Sequence, residues 1–139
     1  MKFYSSDPYV VAKFDDGKKE VNKKKTSLFI TDTIKKSLNP VWNQSFMMYV
    51  QLITHLIWQI ISKLIGDIKA DTRVLAFHMY DKESLSKDNY MGLILVNMKD
   101  IVDGSETGYL MKPNPLIQKK QKDIDKVKGK LYISYEFLY

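Results

Sequence analysis

Hydrophobic and polar positions alternate at a period of two along much of the chain. Residues 8–14, Pro-Tyr-Val-Val-Ala-Lys-Phe, read as a strand. Residues 28–34 read as another. Trp42, Phe46 and Met48 alternate with polar positions over residues 41–50, which predicts a third strand with Trp42 turned into the core. Leu75, Phe77 and Met79 repeat the pattern over residues 74–80, placing His78 on the outer face of that strand. Leu93 to Val96 form an apolar run. Leu131, Ile133, Tyr135 and Phe137 share one face of a closing strand. Turn residues separate these runs, with Asp15-Asp16-Gly17 and Asn39-Pro40 the clearest. Residues 112–128 hold Pro113, Pro115 and a series of lysines, and read as a mobile linker.

One stretch breaks the pattern. Leu52, Ile53, Leu56, Ile57, Ile60, Ile61, Leu64 and Ile65 recur at i, i+1, i+4 and i+5, the stripe of an amphipathic helix around 51–66. It is too short for a membrane span of about 20 apolar residues, and polar residues interrupt it.

At 139 residues, with 45% hydrophobic and 27% charged residues, the composition is that of one soluble globular domain. Cysteine is absent, which excludes a disulfide framework, a thiol nucleophile and a cysteine-based zinc site. The first residues lack the apolar core of a signal peptide. His55 and His78 are the only histidines. No nucleophile elbow and no phosphate-cradling glycine loop is visible, so an enzyme is not expected. The net charge is +6 and nearly all of its positive part is lysine, Arg73 being the only arginine. Such a chain is drawn to anionic surfaces. Lysine suits diffuse attraction better than the bidentate reading of bases, and no aromatic-and-basic RNA motif accompanies it, so nucleic acid is not the expected partner.

Between the strands at 74–80 and 93–96 lies an acidic loop. Asp81, Glu83 and Asp88, with Ser84, Ser86 and Asn89, supply hard oxygen ligands of the kind that suit Ca²⁺, which takes about 6–8 oxygens. The same residues are ordinary turn formers.

Three stretches taken together resemble the C2 domains: Ser6-Asp7-Pro8-Tyr9-Val10, then Leu38-Asn39-Pro40-Val41-Trp42-Asn43-Gln44-Ser45-Phe46, then the loop that opens at Asp81 and closes on Gly92. Their order and approximate spacing are those of the family. The resemblance implies an all-β, antiparallel Greek-key β-sandwich of the permuted (type II) topology, ending in the strand Gly129-Lys130-Leu131-Tyr132-Ile133-Ser134. It covers residues 1–139 as a single domain lacking its first strand at the N-terminus, with 51–71 as an inserted helical segment. For that insertion three readings stand open: it covers an open part of the sandwich, it meets a membrane interface or a partner, or it is translated intron.

The resemblance also implies a calcium site. Asp7 and Asp81 match acidic ligand positions. Glu83 stands where a second loop aspartate is usual, Asn89 where a third is usual, and Ser86 at a position that often contributes an oxygen. Asp88 is one residue off a ligand position, and the first acid of the first loop would precede Met1. Fewer charged ligands lower calcium affinity, so a weak or absent Ca²⁺ site is expected. Lys18, Lys19, Lys23, Lys24, Lys25, Lys35 and Lys36 correspond to a lysine-rich face that binds lipid headgroups in the family, and Leu85 to an apolar loop tip. The implied function is a cytoplasmic, peripheral membrane-binding module that attaches to anionic phospholipids with weak or lost Ca²⁺ dependence. The alternative is a calcium-independent protein-interaction domain, or a fragment of a larger C2 protein.

Overall fold

The computed structural model describes residues 6–16, 27–48 and 72–138. The elements run β1 (Pro8–Phe14), β2 (Phe29–Ile30), β3 (Val74–Asp81), β4 (Asn89–Asn97), a 3₁₀ turn (Met98–Asp100), β5 (Glu106–Leu110), α1 (Gln121–Ile124) and β6 (Lys130–Ser134). One antiparallel sheet has the order β2-β1-β3-β4, and β5 pairs with β6 in a second. Strands β1, β3 and β4 are rich in β-branched and aromatic residues, which fit a pleated, packed surface.

The two sheets face each other across the main core. Val10 and Ala12 of β1, Leu75 and Phe77 of β3, and Ile94 and Val96 of β4 are buried there with Met98, Met111 and Leu131. Tyr109, Ile133 and Tyr135 close it from the second sheet and the residues just after it, and Trp42, Phe46 and Met48 from the segment that follows β2. This is an all-β sandwich, and the period-two pattern locates its core.

Two of the expected strands change. Residues 41–48 keep the predicted alternation of side chains, Trp42, Phe46 and Met48 inward, but form no ladder among the described residues. The pattern reports which side is buried, not which backbone is paired. The strand expected at 28–34 shortens to Phe29–Ile30, because Thr31 turns its hydroxyl to accept the Val10 amide at 2.8 Å. His78 is on the side opposite Leu75 and Phe77, the face expected for it, and is only 5% exposed. There Tyr90 covers it, its hydroxyl 2.7 Å from Nδ1.

The expected linker at 112–128 is folded. Lys112 and Leu93 exchange backbone hydrogen bonds of 2.9 Å, which adds a rung beyond β4. Gly92 makes this approach feasible. Its φ is +139°, and a Cβ there would meet the Lys112 carbonyl and Val127 Cγ1 at 3.0 Å. The inserted segment 51–71 and Lys18–Lys25 lie outside the described residues.

Candidate functional site at the acidic end of the sandwich

Antiparallel register gathers the acidic residues at one end of the first sheet. Pro8 pairs with Asp81, and Asp81 with Asn89. Residues 6–7, which lead into β1, and the loop 82–88, which leaves β3, are therefore neighbours. Residues 35–37 join them. Ser37 donates its amide to the Ser6 carbonyl at 2.8 Å, and the Ser6 hydroxyl returns a bond to the Ser37 carbonyl at 3.1 Å.

Carboxylates tie these segments together. Asp81 Oδ1 accepts the Asp7 amide at 2.8 Å. Asp7 Oδ1 accepts the Lys36 amide at 2.7 Å. Lys36 holds a left-handed φ of 54°, which turns its N–H toward Asp7. Lys82 donates its amide to the Asp7 carbonyl at 3.0 Å. Farther along, Asp32 and Gln44 lock the next turn. The Asp32 amide donates to Gln44 Oε1 at 2.8 Å, and Gln44 Nε2 donates to Asp32 Oδ2 at 3.3 Å.

The loop has its own brace. Asp88 Oδ1 accepts the Glu83 amide at 3.0 Å, and Asp88 Oδ2 accepts the Tyr9 hydroxyl. Tyr9 stacks on Tyr80 with ring centroids 5.4 Å apart, and Tyr80 meets Tyr90 edge-on at 5.2 Å. Burial, and then the bond to Asp88, push the Tyr9 hydroxyl far above its ordinary range. Burial, with Asp88 second, pushes Tyr80 up to about 12. Both phenols therefore stay protonated at neutral pH, and Tyr9 stays a donor. The sequence placed Asp88 off the ligand set and gave Tyr9 no role. The register was the missing signal, since it puts Tyr9, Tyr80 and Tyr90 on one face.

Asp7 and Asp81 are thus brought together, while hydrogen bonds among the described residues leave the side chains of Glu83, Ser86 and Asn89 untied to them. Among the described residues no group of three or more Asp, Glu, His or Cys converges on a metal position. Asp7 and Asp81 each keep a second carboxylate oxygen beyond the bonds given above. These hard oxygens are of the type that suits Ca²⁺, and Asp7 and Asp81 are the pair that would hold it. Leu85, at the loop tip, is 98% exposed, and Lys35 and Lys36 are exposed beside Asp7. No helix among the described residues is long and apolar enough to cross a membrane.

Comparison with known proteins follows the same lines. The sequence profile of the C2 domain matches residues 1–112. The E3 ubiquitin-protein ligase Nedd-4 of Drosophila melanogaster is 27% identical over 142 residues, which span 98% of this chain and 12% of Nedd-4. The chain thus corresponds to about an eighth of that relative's length. Among solved structures, the C2 domain designated A of plant Extended Synaptotagmin 1 superposes with a TM-score of 0.52 at 23% identity, over 95% of this chain and 81% of that one. The C2 domain designated A of RIM from Drosophila gives 0.47 at 13% identity, over 70% and 63%.

Proposed function

The chain belongs to the C2 family, whose members are membrane-, lipid- or protein-binding modules, and from that membership we propose a peripheral module that attaches to anionic phospholipids with weak or no dependence on Ca²⁺. The observation that carries this reading is the use made of the carboxylates. Asp7, Asp81 and Asp88 are engaged with the amides of Lys36, Asp7 and Glu83, so the loops are braced by the protein's own donors. A cation is not needed to hold this end together. Any Ca²⁺ held by Asp7 and Asp81 would neutralise them beside a headgroup, and few charged ligands mean low affinity. Lys35 and Lys36 supply positive charge at the same end, and Leu85 supplies an apolar tip able to enter the headgroup boundary. The proposal includes no catalysis, since His78 is buried against Tyr90 rather than presented to a substrate.

Co-sedimentation with phosphatidylserine vesicles, in Ca²⁺ and in chelator, tests this. Binding in both, lost with phosphatidylcholine vesicles or high salt, is the expected result. Binding in Ca²⁺ alone would overturn the calcium half of the proposal. Binding in neither condition would replace it with a protein-interaction module. That second reading is favoured by one surface: Leu110 and Tyr132 stand exposed on the outer face of the β5–β6 pair.

A further inference from the structure

The crossover from β5 to β6 carries a concentration of unpaired charge on a held backbone. Residues 119–128 contain Lys119, Lys120, Lys122, Lys126 and Lys128 against Asp123 and Asp125, and all five lysines are exposed. The Asp125 carboxylate accepts from the Gln121 amide at 2.8 Å, and among the described residues the one ion pair is Lys13 with Asp16. The five lysines outnumber the two aspartates, and none of them is in an ion pair among the described residues.

Buried side chains fix this segment against the acidic end. Asn114 and Gln118 are both buried. Gln118 Oε1 accepts the Asn114 amide at 2.8 Å, and Asn114 Oδ1 accepts the Leu116 amide at 3.0 Å. Asn114 Nδ2 reaches the Tyr90 hydroxyl at 3.3 Å, and Gln118 Nε2 the Tyr90 carbonyl at 3.5 Å. The other end of the crossover is closed by the Met111 amide on the Gly129 carbonyl at 3.0 Å. Tyr90 directly follows Asn89, where the loop bearing Leu85 ends. Leu116, between Asn114 and Gln118, is 41% exposed. Two exposed leucines and a lysine-rich segment thus stand at one end of the sandwich.

We infer that this crossover is a second membrane-contacting element, in which Lys119, Lys120, Lys122 and Lys126 engage the phosphates of an anionic bilayer and Leu116 enters its boundary beside Leu85. The inference rests on the membrane reading above. It adds a surface distinct from Lys35 and Lys36, and one that needs no cation. A bilayer fits better than nucleic acid for two reasons. The charge is carried by lysine, a compact point charge, without arginine. The apolar tips beside it have no use against a phosphate backbone, and both suit the headgroup–acyl boundary.

The test is partitioning of the full chain onto phosphatidylserine-containing vesicles in chelator. The wild type is compared with a variant carrying Lys119→Gln, Lys120→Gln, Lys122→Gln and Lys126→Gln, and with a control carrying Lys35→Gln and Lys36→Gln. Each lysine at an anionic surface is worth about fivefold in partitioning. A loss of at least about 25-fold in the quadruple variant is expected, the size of two contacting lysines. All four positions are exposed, so circular dichroism and the melting temperature should match the wild type. Leu116→Asn is the companion single change, with an expected loss of about fivefold. If the wild type binds and both crossover variants bind within twofold of it, the inference is overturned and the membrane reading stands. If the wild type does not bind, both fall. A quadruple variant that keeps vesicle binding but loses binding to duplex DNA would overturn the inference in favour of nucleic acid.

Discussion

Acidification should destabilise this domain through His78. The ring is 5% exposed, and its Nδ1 faces the Tyr90 hydroxyl at 2.7 Å. That hydroxyl also accepts from the Asn114 amide at 3.3 Å, so its own proton is free to point at His78. A proton added at Nδ1 would force the Tyr90 hydroxyl to turn and accept where it had donated. Burial first, and the Lys13 ammonium second, lower the His78 pKa to about 4, with Asp15 and Asp16 opposing. In the unfolded chain the ring titrates at about 6.5. The folded pKa is the lower one, so the unfolded state takes up the proton first as pH falls. The stabilisation is whole above about pH 6.5 and is lost as the pH falls through the folded value near 4. By about pH 4.5 the loss is roughly 2–3 kcal/mol. Urea unfolding followed by tryptophan fluorescence, at a series of pH values, measures it. His78→Gln removes the titration while keeping a polar group, and carboxylates titrating elsewhere cancel in the difference. The wild type should therefore lose roughly 2–3 kcal/mol more than His78→Gln between pH 7 and about 4.5. Parallel losses, within about 0.5 kcal/mol, would refute the reasoning.

Tyr9→Phe deletes the hydroxyl bonded to Asp88 and should cost about 1.5–3 kcal/mol, the range for a hydrogen bond to a charged group. Hydrogen exchange at the Glu83 amide, which shares the Asp88 carboxylate, should quicken in the same variant. Gly92→Ala forces a side chain into a φ of +139° and against the Lys112 carbonyl, and should lower stability by more than about 2 kcal/mol in chemical denaturation. Asp7→Ala leaves the Lys36 amide without its carboxylate and should cost about 1.5–3 kcal/mol in the same assay. Leu85→Glu, at a fully solvated position, should leave the melting temperature unchanged and cut phosphatidylserine-vesicle partitioning by about tenfold.

What the sequence made legible was the part governed by local period and local motif. Alternation placed Leu75, Phe77 and Met79 toward the core, and put Trp42, Phe46 and Met48 there too. The motif around Ser6-Asp7 and the one around Leu38-Asn39-Pro40 were recognisable as strings. The structure supplies a physical reason for part of them: Ser6, Asp7, Lys36 and Ser37 exchange the bonds that fasten the first motif to the turn before the second. Contacts between residues far apart in the chain stayed hidden. Period two assigned His78 a face but not the Tyr90 ring that covers it, twelve positions later. Prolines and lysines at 112–128 looked like a linker because the bonds that fold the segment run from Asn114 and Gln118 to Tyr90. Nothing in their local spacing announces those bonds.

On the proposed reading, the same bonds bear on how a C2 chain could manage with fewer calcium ligands. Where aspartates face one another across loops, their repulsion has to be offset, and a bound cation is one way to do it. Here the Lys36 amide meets Asp7, the Asp7 amide meets Asp81, and Tyr9 with the Glu83 amide meets Asp88. Each carboxylate has a fixed partial positive charge supplied by the fold, which on the proposed reading offsets the repulsion without an ion. On the proposed reading, Asn89 in place of a family aspartate would cost affinity for an ion and leave these bonds intact. Attraction to an anionic surface must in that case come from charge that is always present. On the proposed reading that charge is Lys35 and Lys36 together with the crossover lysines, so binding should follow ionic strength rather than calcium concentration.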